Sequence, residues 1–422
     1  MNVLTDKAVP QRFSKMFAFA AVLSLLFGLR ADAQQPTNLT GDWCGNRDWL
    51  ACHGVTFDLD VAHFYQGVTT GGLERHFKYG GHGDYVTTVD FGKMGVQEGL
   101  FLKLRAEHRF GENINADSGA FYPASVLTSL PESDSKKLLL TNVLFTQFLS
   151  ERFAVVFGKM DTLDGDLNAF AHGRGKTQFL NTAFVANPIA LRTVPYSTLG
   201  CGFTVLGEEG EPAFTFLALN PTDTVSSSGF DELFSEGVAL VAELRVPTHF
   251  FGMPGHHLFA GTWNSREFVS LEQDARIVLP NVPINQVDSS WSAYWNFDQY
   301  LSVDPCNPAR GWGVFGRAGV ADDEANPISW FLSFGVGGHS PVRGREADTF
   351  GAGWFYSGTS DEVGPILEGV FGPLGDGQGV ELFYNWQATP WLNITPDMQV
   401  LIPAREGVNT TLVVGLRAVM RL

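Results

Sequence analysis

Charge is sparse in this chain: Asp, Glu, Lys and Arg make up 17% of its 422 residues, and Lys and Arg number 28 against 45 Asp and Glu. The formal net charge of −17 leaves no basic footprint of the kind nucleic-acid binding needs. Cysteine is scarce too. Cys44, Cys52, Cys201 and Cys306 are too few for a disulfide scaffold in a chain of this length. Whether Cys44 and Cys52 pair stays open. On a straight helix they would stand roughly 12 Å apart, beyond the Cα reach of a disulfide, so a bridge requires a break between them. Cys201 and Cys306 have no obvious partner.

Long apolar runs are missing beyond the N-terminus. The run over 16–29 is shorter than the roughly 20 residues of a spanning helix. Lys7, Arg12 and Lys15 precede it and Ala31-Asp32-Ala33 follows, the three-part order of a secretory signal peptide. Cleavage is expected after Ala33, giving a leader over 1–33 and one mature domain over 34–422. Losing Lys7, Arg12, Lys15 and Arg30 together with Asp6 and Asp32 moves the formal charge from −17 to −19. A mature chain without a membrane-spanning apolar run enters a bilayer with strands or not at all.

Catalytic and metal signatures are absent as local patterns. There is no Cys-x-x-Cys, His-Glu-x-x-His, phosphate-binding loop or Gly-x-Ser-x-Gly elbow. His256 and His257 are adjacent, so on a strand they face opposite ways and cannot share one metal. Asn38, Asn393 and Asn409 match the glycosylation pattern. No catalytic residue, metal or cofactor is expected.

What is present is glycine and aromatics, with 47 Gly, 35 Phe and 10 Trp, which suit many strands, tight turns and interfacial girdles. The clearest pattern is at the C-terminal end. Leu412, Val414, Leu416, Ala418, Met420 and Leu422 are apolar, while Arg417 and Arg421 take the other parity. Period two marks a strand with two unlike faces. Between 100 and 110, Leu100, Leu102, Leu104 and Ala106 alternate with Lys103, Arg105, Glu107 and Arg109. Val55, Phe57, Leu59, Val61 and Tyr65 oppose Asp58, Asp60 and Gln66, a plausible first strand; Trp291, Ala293, Trp295 and Phe297 oppose Asn296 and Asp298. Segments 238–246, 312–320, 330–336 and 380–386 read alike, with Trp312, Trp330 and Trp386 near strand ends. At roughly 45 to 50 residues per strand pair, the mature chain makes about 16 strands. The expected class is all-β: a transmembrane antiparallel barrel with an aqueous lumen and a short segment before the first strand.

Several motifs follow one another in a characteristic order. Leu39-Thr40-Gly41-Asp42-Trp43 with Gly45, Arg47, Leu50 and Gly54 comes first, then Val89-Asp90-Phe91-Gly92-Lys93-Met94 with Glu107, Gly111 and Asn115. Gly158-Lys159-Met160-Asp161 follows, then Trp312 to Ala321, Gly344-Arg345 with Asp348, and Pro390-Trp391 with Pro396-Asp397-Met398-Gln399. From about Leu39 to Leu422 the chain resembles the carbohydrate-selective porins of the OprB type. The resemblance implies a sixteen-stranded outer-membrane barrel that admits sugars by diffusion past a neck narrowed by an inward-folded loop. Its expected partners are outer-membrane lipid and small sugars, as a monomer or a homo-trimer, and no nucleic acid. Cys44 stands where the family has Gly, and Leu422 where a terminal Phe is common.

A sugar pore needs hydrogen-bonding groups and apolar faces in a narrow neck rather than a nucleophile. The candidates are therefore inward-facing polar residues: the row Lys103, Arg105, Glu107 and Arg109; Lys159 and Asp161 at a strand end; Arg174 in the polar, Gly-containing segment 164–178; and, by parity alone, Asp58, Asp60, Arg245, Asn296, Arg317 and Glu381. Segment 164–178 fits either an inward loop or an ordinary exposed one. The basic inward row keeps a general or anion-preferring porin in view. A secreted soluble carbohydrate-binding β-protein and a barrel enzyme are the more distant alternatives.

Overall fold

The computed structural model describes residues 36–131, 137–208, 210–274, 276, 281–305, 307–364, 367–369 and 372–422. The expected leader over 1–33 and Cys306 lie outside the described residues.

One half of the wall is built from β1 (Val55–Thr70), β2 (Phe77–Asp90), β3 (Leu100–Gly111), β4 (Leu139–Ser150), β5 (Phe153–Asp161), β6 (Ser197–Leu206), β7 (Pro212–Leu219) and β8 (Ala239–Phe250). After β9 (Met253–Asn264) the chain makes a small ribbon of β10 (Phe268–Val269) and β11 (Gln286–Val287). It then returns as β12 (Ser290–Asp304), β13 (Asn307–Ala321), β14 (Ile328–His339), β15 (Thr349–Thr359), β16 (Gly377–Thr389), β17 (Leu392–Ile402) and β18 (Thr411–Arg421). Apart from the ribbon, each strand pairs with its sequence neighbours, β12 with β9, and β18 pairs antiparallel with β1 to close a sixteen-stranded barrel. Closure leaves no strand edge, which is what a bilayer demands of a sheet.

The alternation read from the sequence is the alternation of the wall. On β14, Trp330, Leu332 and Phe334 are 42%, 40% and 53% exposed, whereas Phe331 and Ser333 between them are 1% exposed. The outward set is apolar and meets lipid. The inward set is buried because something fills the barrel. Connections at one end are short, as at 151–152, 251–252, 305–306 and 390–391, while those at the other include 112–138, 162–196, 220–238 and 265–289. Two long loops fold inward.

The loop over 162–196 supplies most of the filling. Phe170, Phe179, Phe184 and Ile189 are at most 2% exposed and pack with Phe315, Phe331, Phe355 and Phe383 of the inner wall. The Phe179 ring centroid lies 4.6 Å from Phe184 and 4.9 Å from Phe383. Each such side chain contributes roughly 1.5–3 kcal/mol by leaving water. Wall glycines make the room: a β-carbon at Gly353 would sit 2.6 Å from the Phe184 ring, and one at Gly351 would sit 2.8 Å from Phe179. The loop after β3 joins this core through Tyr122, 5.7 Å from the Phe355 ring, and Val126 N–H donates to Leu180 O at 3.0 Å.

Before β1, residues 43–45 form a 3₁₀ turn and Asn46–Cys52 a helix, with Cys44 at φ +60°. The helix is thus broken between the two cysteines, yet Cys44 and Cys52 are both free and exposed. The segment seals the seam: Arg47 donates to Leu422 O at 2.8 Å, and Leu39 N–H to Arg421 O.

Candidate functional site: an inserted loop on a charged wall

The loop leaves the wall at Asp161, whose carboxylate accepts the Leu163 N–H at 3.0 Å. Its base is clasped by Thr162, which donates its hydroxyl to Pro195 O at 2.6 Å and its N–H to Tyr196 O at 2.9 Å. Inside, the His172 Nε2 lies 3.1 Å from both Leu163 O and Gly165 O, and as a donor it ties the turn. Asn168 caps the next turn, accepting from Phe170 and Ala171 N–H at 2.9 and 3.0 Å.

Charges join this loop to β1, β2 and β3. Arg174 Nη2 lies 2.7 Å from Asp161 and 3.1 Å from Glu107, and its Nη1 lies 2.7 Å from Asp164. Arg105 meets Asp161 at 2.8 Å, Asp164 at 3.0 Å and Asp84 at 3.2 Å. Lys103 reaches Asp164 at 2.6 Å, and Lys176 reaches Asp60 and Asp84 at 2.6 and 2.8 Å. Glu107 also accepts from Thr141 and Tyr196 hydroxyls at 2.5 and 2.6 Å. Four cations thus face five carboxylates, so Lys103 and Arg105 of the row read from β3 are neutralised by their partners. Burial works against the charged form of Asp164, but Arg174, Arg105 and Lys103 outweigh it and hold this carboxyl well below the usual range. Burial likewise opposes the Lys176 ammonium, and Asp60 and Asp84 overcome it and raise its pKa.

A second set anchors the loop to the far wall. Arg317 Nε is 2.7 Å from Asp166 Oδ2, and its Nη atoms donate to Phe184 O at 3.0 Å and Ala171 O at 2.6 Å. Asn296 donates to Asp166 Oδ1 and accepts from Asn168, both at 2.6 Å. Glu381 accepts the N–H groups of Leu180 and Asn181 at 2.5 and 2.9 Å, and Arg417 donates to Gly175 O at 2.7 Å. These four wall residues are at most 1% exposed.

The candidates from the sequence divide accordingly. Arg105, Glu107, Asp161 and Arg174 meet in one cluster, with Lys103 at its rim and Asp60 joined through Lys176. Arg317, Asn296 and Glu381 hold loop backbone and side chains. Lys159 serves another loop, donating to Thr224 O and Ser227 O at 2.7 and 2.8 Å. Arg245 lies 3.7 Å from Glu211 near the short-turn end, Asp58 is exposed, and Arg109 lines the remaining cavity. That cavity, about 1320 Å³, runs between the loop and the inner faces of β4 to β8, where Leu144, Leu217 and Val241 are apolar and Asp164, Tyr196 and Glu243 are polar. Sequence reading missed Asp84 and Arg417 as partners. Asp84 sits in a glycine-rich strand, Phe77–Asp90, whose alternation is faint. Arg417 was visible on the inward parity, but its carbonyl partner was not.

The model of the carbohydrate-selective porin family OprB matches residues 74–422. Among curated proteins no sequence relative matches the chain. Among solved structures, the high-pH form of Pseudomonas putida OprB superposes with a TM-score of 0.78 at 19% identity, covering 93% of this chain and 100% of that one. The low-pH form gives a TM-score of 0.57 at 15% identity over 92% and 100%. At these identities the likeness speaks for the fold, and the sequence family is carried by the match over 74–422. The chain belongs to the OprB family of carbohydrate-selective porins of the outer membrane.

Proposed function

We propose that the protein is a passive channel for mono- and small oligosaccharides, with loop 162–196 as its neck. The observation that carries this reading is the cavity beside the docked loop. One wall offers Leu144, Leu217 and Val241, and the other offers Asp164 and Tyr196. A pyranose presents both hydroxyls and an apolar C–H face, and such a cleft can hold both. Of the sequence candidates, Lys103 and Arg109 are the ones proposed to meet a solute, together with Asp164 of the cavity wall, while Arg105, Glu107, Asp161, Arg174, Asn296, Arg317 and Glu381 hold the loop.

The proposed maturation removes 1–33, which N-terminal sequencing of the outer-membrane form tests. Channel rather than catalytic use is supported by the family. An apolar outer wall disfavours a soluble secreted protein. A monomer and a homo-trimer both suit that wall, and cross-linking in native membranes separates them.

The test is single-channel conductance in a planar bilayer with glucose and short oligosaccharides added. Progressive closing of the current supports a sugar-binding neck. Steady channels indifferent to sugar would leave a general porin, and a folded sample without channels would remove the pore.

A further inference from the structure

Two lumen cations, Arg192 and Arg266, stand outside the charged cluster. Arg192 closes the 3₁₀ segment Pro188–Arg192 of the inserted loop, and Arg266 follows β9 at the long-loop end. Both line the cavity. Their Cζ atoms lie 5.0 and 4.2 Å from the ring centroid of Phe268, which is 2% exposed. A ring face attracts a guanidinium and fixes its plane. Arg192 Nε donates to Ala325 O at 3.0 Å. Among the described residues neither guanidinium forms an ion pair with a carboxylate, and Arg266 Nε is buried with no hydrogen-bond partner. Burial lowers the pKa of both, Arg266 adds to the lowering at Arg192, and Glu236 is the acid that bears on Arg266.

Two like charges held on one aromatic ring, with no carboxylate hydrogen-bonded to either among the described residues, repel each other. An oxyanion between them would relieve that repulsion, and guanidinium forks match carboxylate and phosphate oxygens in pairs. The carboxylates lining the same cavity are already engaged: Asp164 by Arg105, Arg174 and Lys103, Glu243 by Tyr294 and the Asp166 N–H, Asp223 by the Ser197 and Val225 N–H groups. Lys103 and Arg105 on β3 are likewise occupied.

We propose that Arg192 and Arg266 form an oxyanion site at the long-loop rim of the lumen, which takes the carboxylate of a sugar acid or the phosphate of a sugar phosphate. This rests on the sugar-channel reading and narrows its substrate class. The ring of Phe268 is the platform, and the guanidinium Nη atoms are the donors.

The test compares wild type with R192Q/R266Q in planar bilayers, titrated separately with glucose, gluconate and glucose 6-phosphate at constant ionic strength. Charge-assisted hydrogen bonds of this kind shift affinity roughly ten- to hundred-fold. The expected result is half-closure of wild type by gluconate or glucose 6-phosphate at a concentration lower by that factor than in the variant, with glucose unchanged between them. The acid that shows the shift identifies the source of the oxyanion. Equal half-closure of both proteins by both acids overturns the site while leaving a glucose-closed channel intact. If no sugar closes either protein, the sugar reading has failed, and the reversal potential in a KCl gradient decides the site: reduced anion preference in the variant supports it, and an unchanged potential overturns it. Should the double variant form no channels, R266Q alone, which keeps the Arg192–Ala325 hydrogen bond, gives the same comparison.

Discussion

Arg317 and Asp166 meet at 2.7 Å inside the barrel, one on β13 and the other on the loop that enters after β5. Both are buried, at 1% and 5% exposure. Arg317 spends its remaining donors on loop carbonyls, so this contact nails the loop to the wall opposite its point of entry.

Arg317→Met leaves Asp166 buried without its cation, a loss of roughly 3–5 kcal/mol when one partner of such a pair is removed. The barrel hydrogen bonds are untouched, so the loss should fall on loop docking. The expected outcome is a larger unit conductance and faster proteolytic nicking within 162–196, with unchanged strand content by circular dichroism. Wild-type conductance in this variant would show that the pair does not hold the loop.

A substitution at a wall glycine should act in the same direction without touching a charge. Gly353→Val places atoms where Phe184 packs, and the 2.6 Å approach of a β-carbon already requires the ring to move. Overpacking of this kind costs about 1–3 kcal/mol. Gly261→Ala on β9, where a β-carbon meets nothing within 4 Å, is the matched control. Widened channels in the first and wild-type channels in the second are expected.

Acid should loosen the loop in stages. Burial first, and then the nearby Arg317 and Arg174, push the His172 pKa below its ordinary value of 6.5, while Asp166 and Asp164 act the other way. A docked loop therefore binds fewer protons at His172 than a free one. Docking is at full strength above pH 6.5 and weakens as pH falls through the depressed value. Asp164, depressed too, adds its loss only in much stronger acid. Current noise recorded between neutral and mildly acidic pH should rise in wild type and stay flat in His172→Gln, whose amide can still donate to Leu163 O and Gly165 O. Equal pH response in both proteins would assign the titration to another group.

The outer wall has its own test. Leu332, 40% exposed on the lipid side of β14, changed to Arg should cost roughly 2–4 kcal/mol if it lies near the bilayer midplane. The shift is read from urea titrations of the protein folded into liposomes. An unaffected midpoint would mean that this face is covered by something other than lipid.

The wall was readable from the sequence because each strand carries its own record of which side is wet. Leu332 and Ser333, or Leu104 and Arg105, are neighbours with opposite fates, and the period is local. The interior was readable only in part. Arg105 and Arg317 announced themselves as inward, but their partners Asp161 and Asp166 lie 56 and 151 residues away, and no spacing rule joins them. The sockets at Gly351 and Gly353 look like any strand glycines until Phe179 and Phe184 are seen in them. Arg192, Arg266 and Phe268 belong to separate loops, and only the closed barrel brings them to one rim. The break between Cys44 and Cys52 that a bridge requires is present, yet both cysteines are free, which no spacing rule could decide.

The far side of the inserted loop's seat is made of chain that comes after it. Asn296, Arg317, Glu381 and Arg417, which hold Asp166, Leu180, Asn181 and Gly175, all lie downstream of residue 196. During assembly the loop can meet β1 to β3 through its charges, but its far anchors are missing until β12 to β18 are in place, and its phenylalanines stay uncovered until then. Narrowing of the lumen is consequently one of the last events of biogenesis, and it follows closure of the wall rather than guiding it. An intermediate stalled before the final strands would be a wide, leaky and sticky object, which gives a reason for the cell to hold such a chain under escort until its two ends have met.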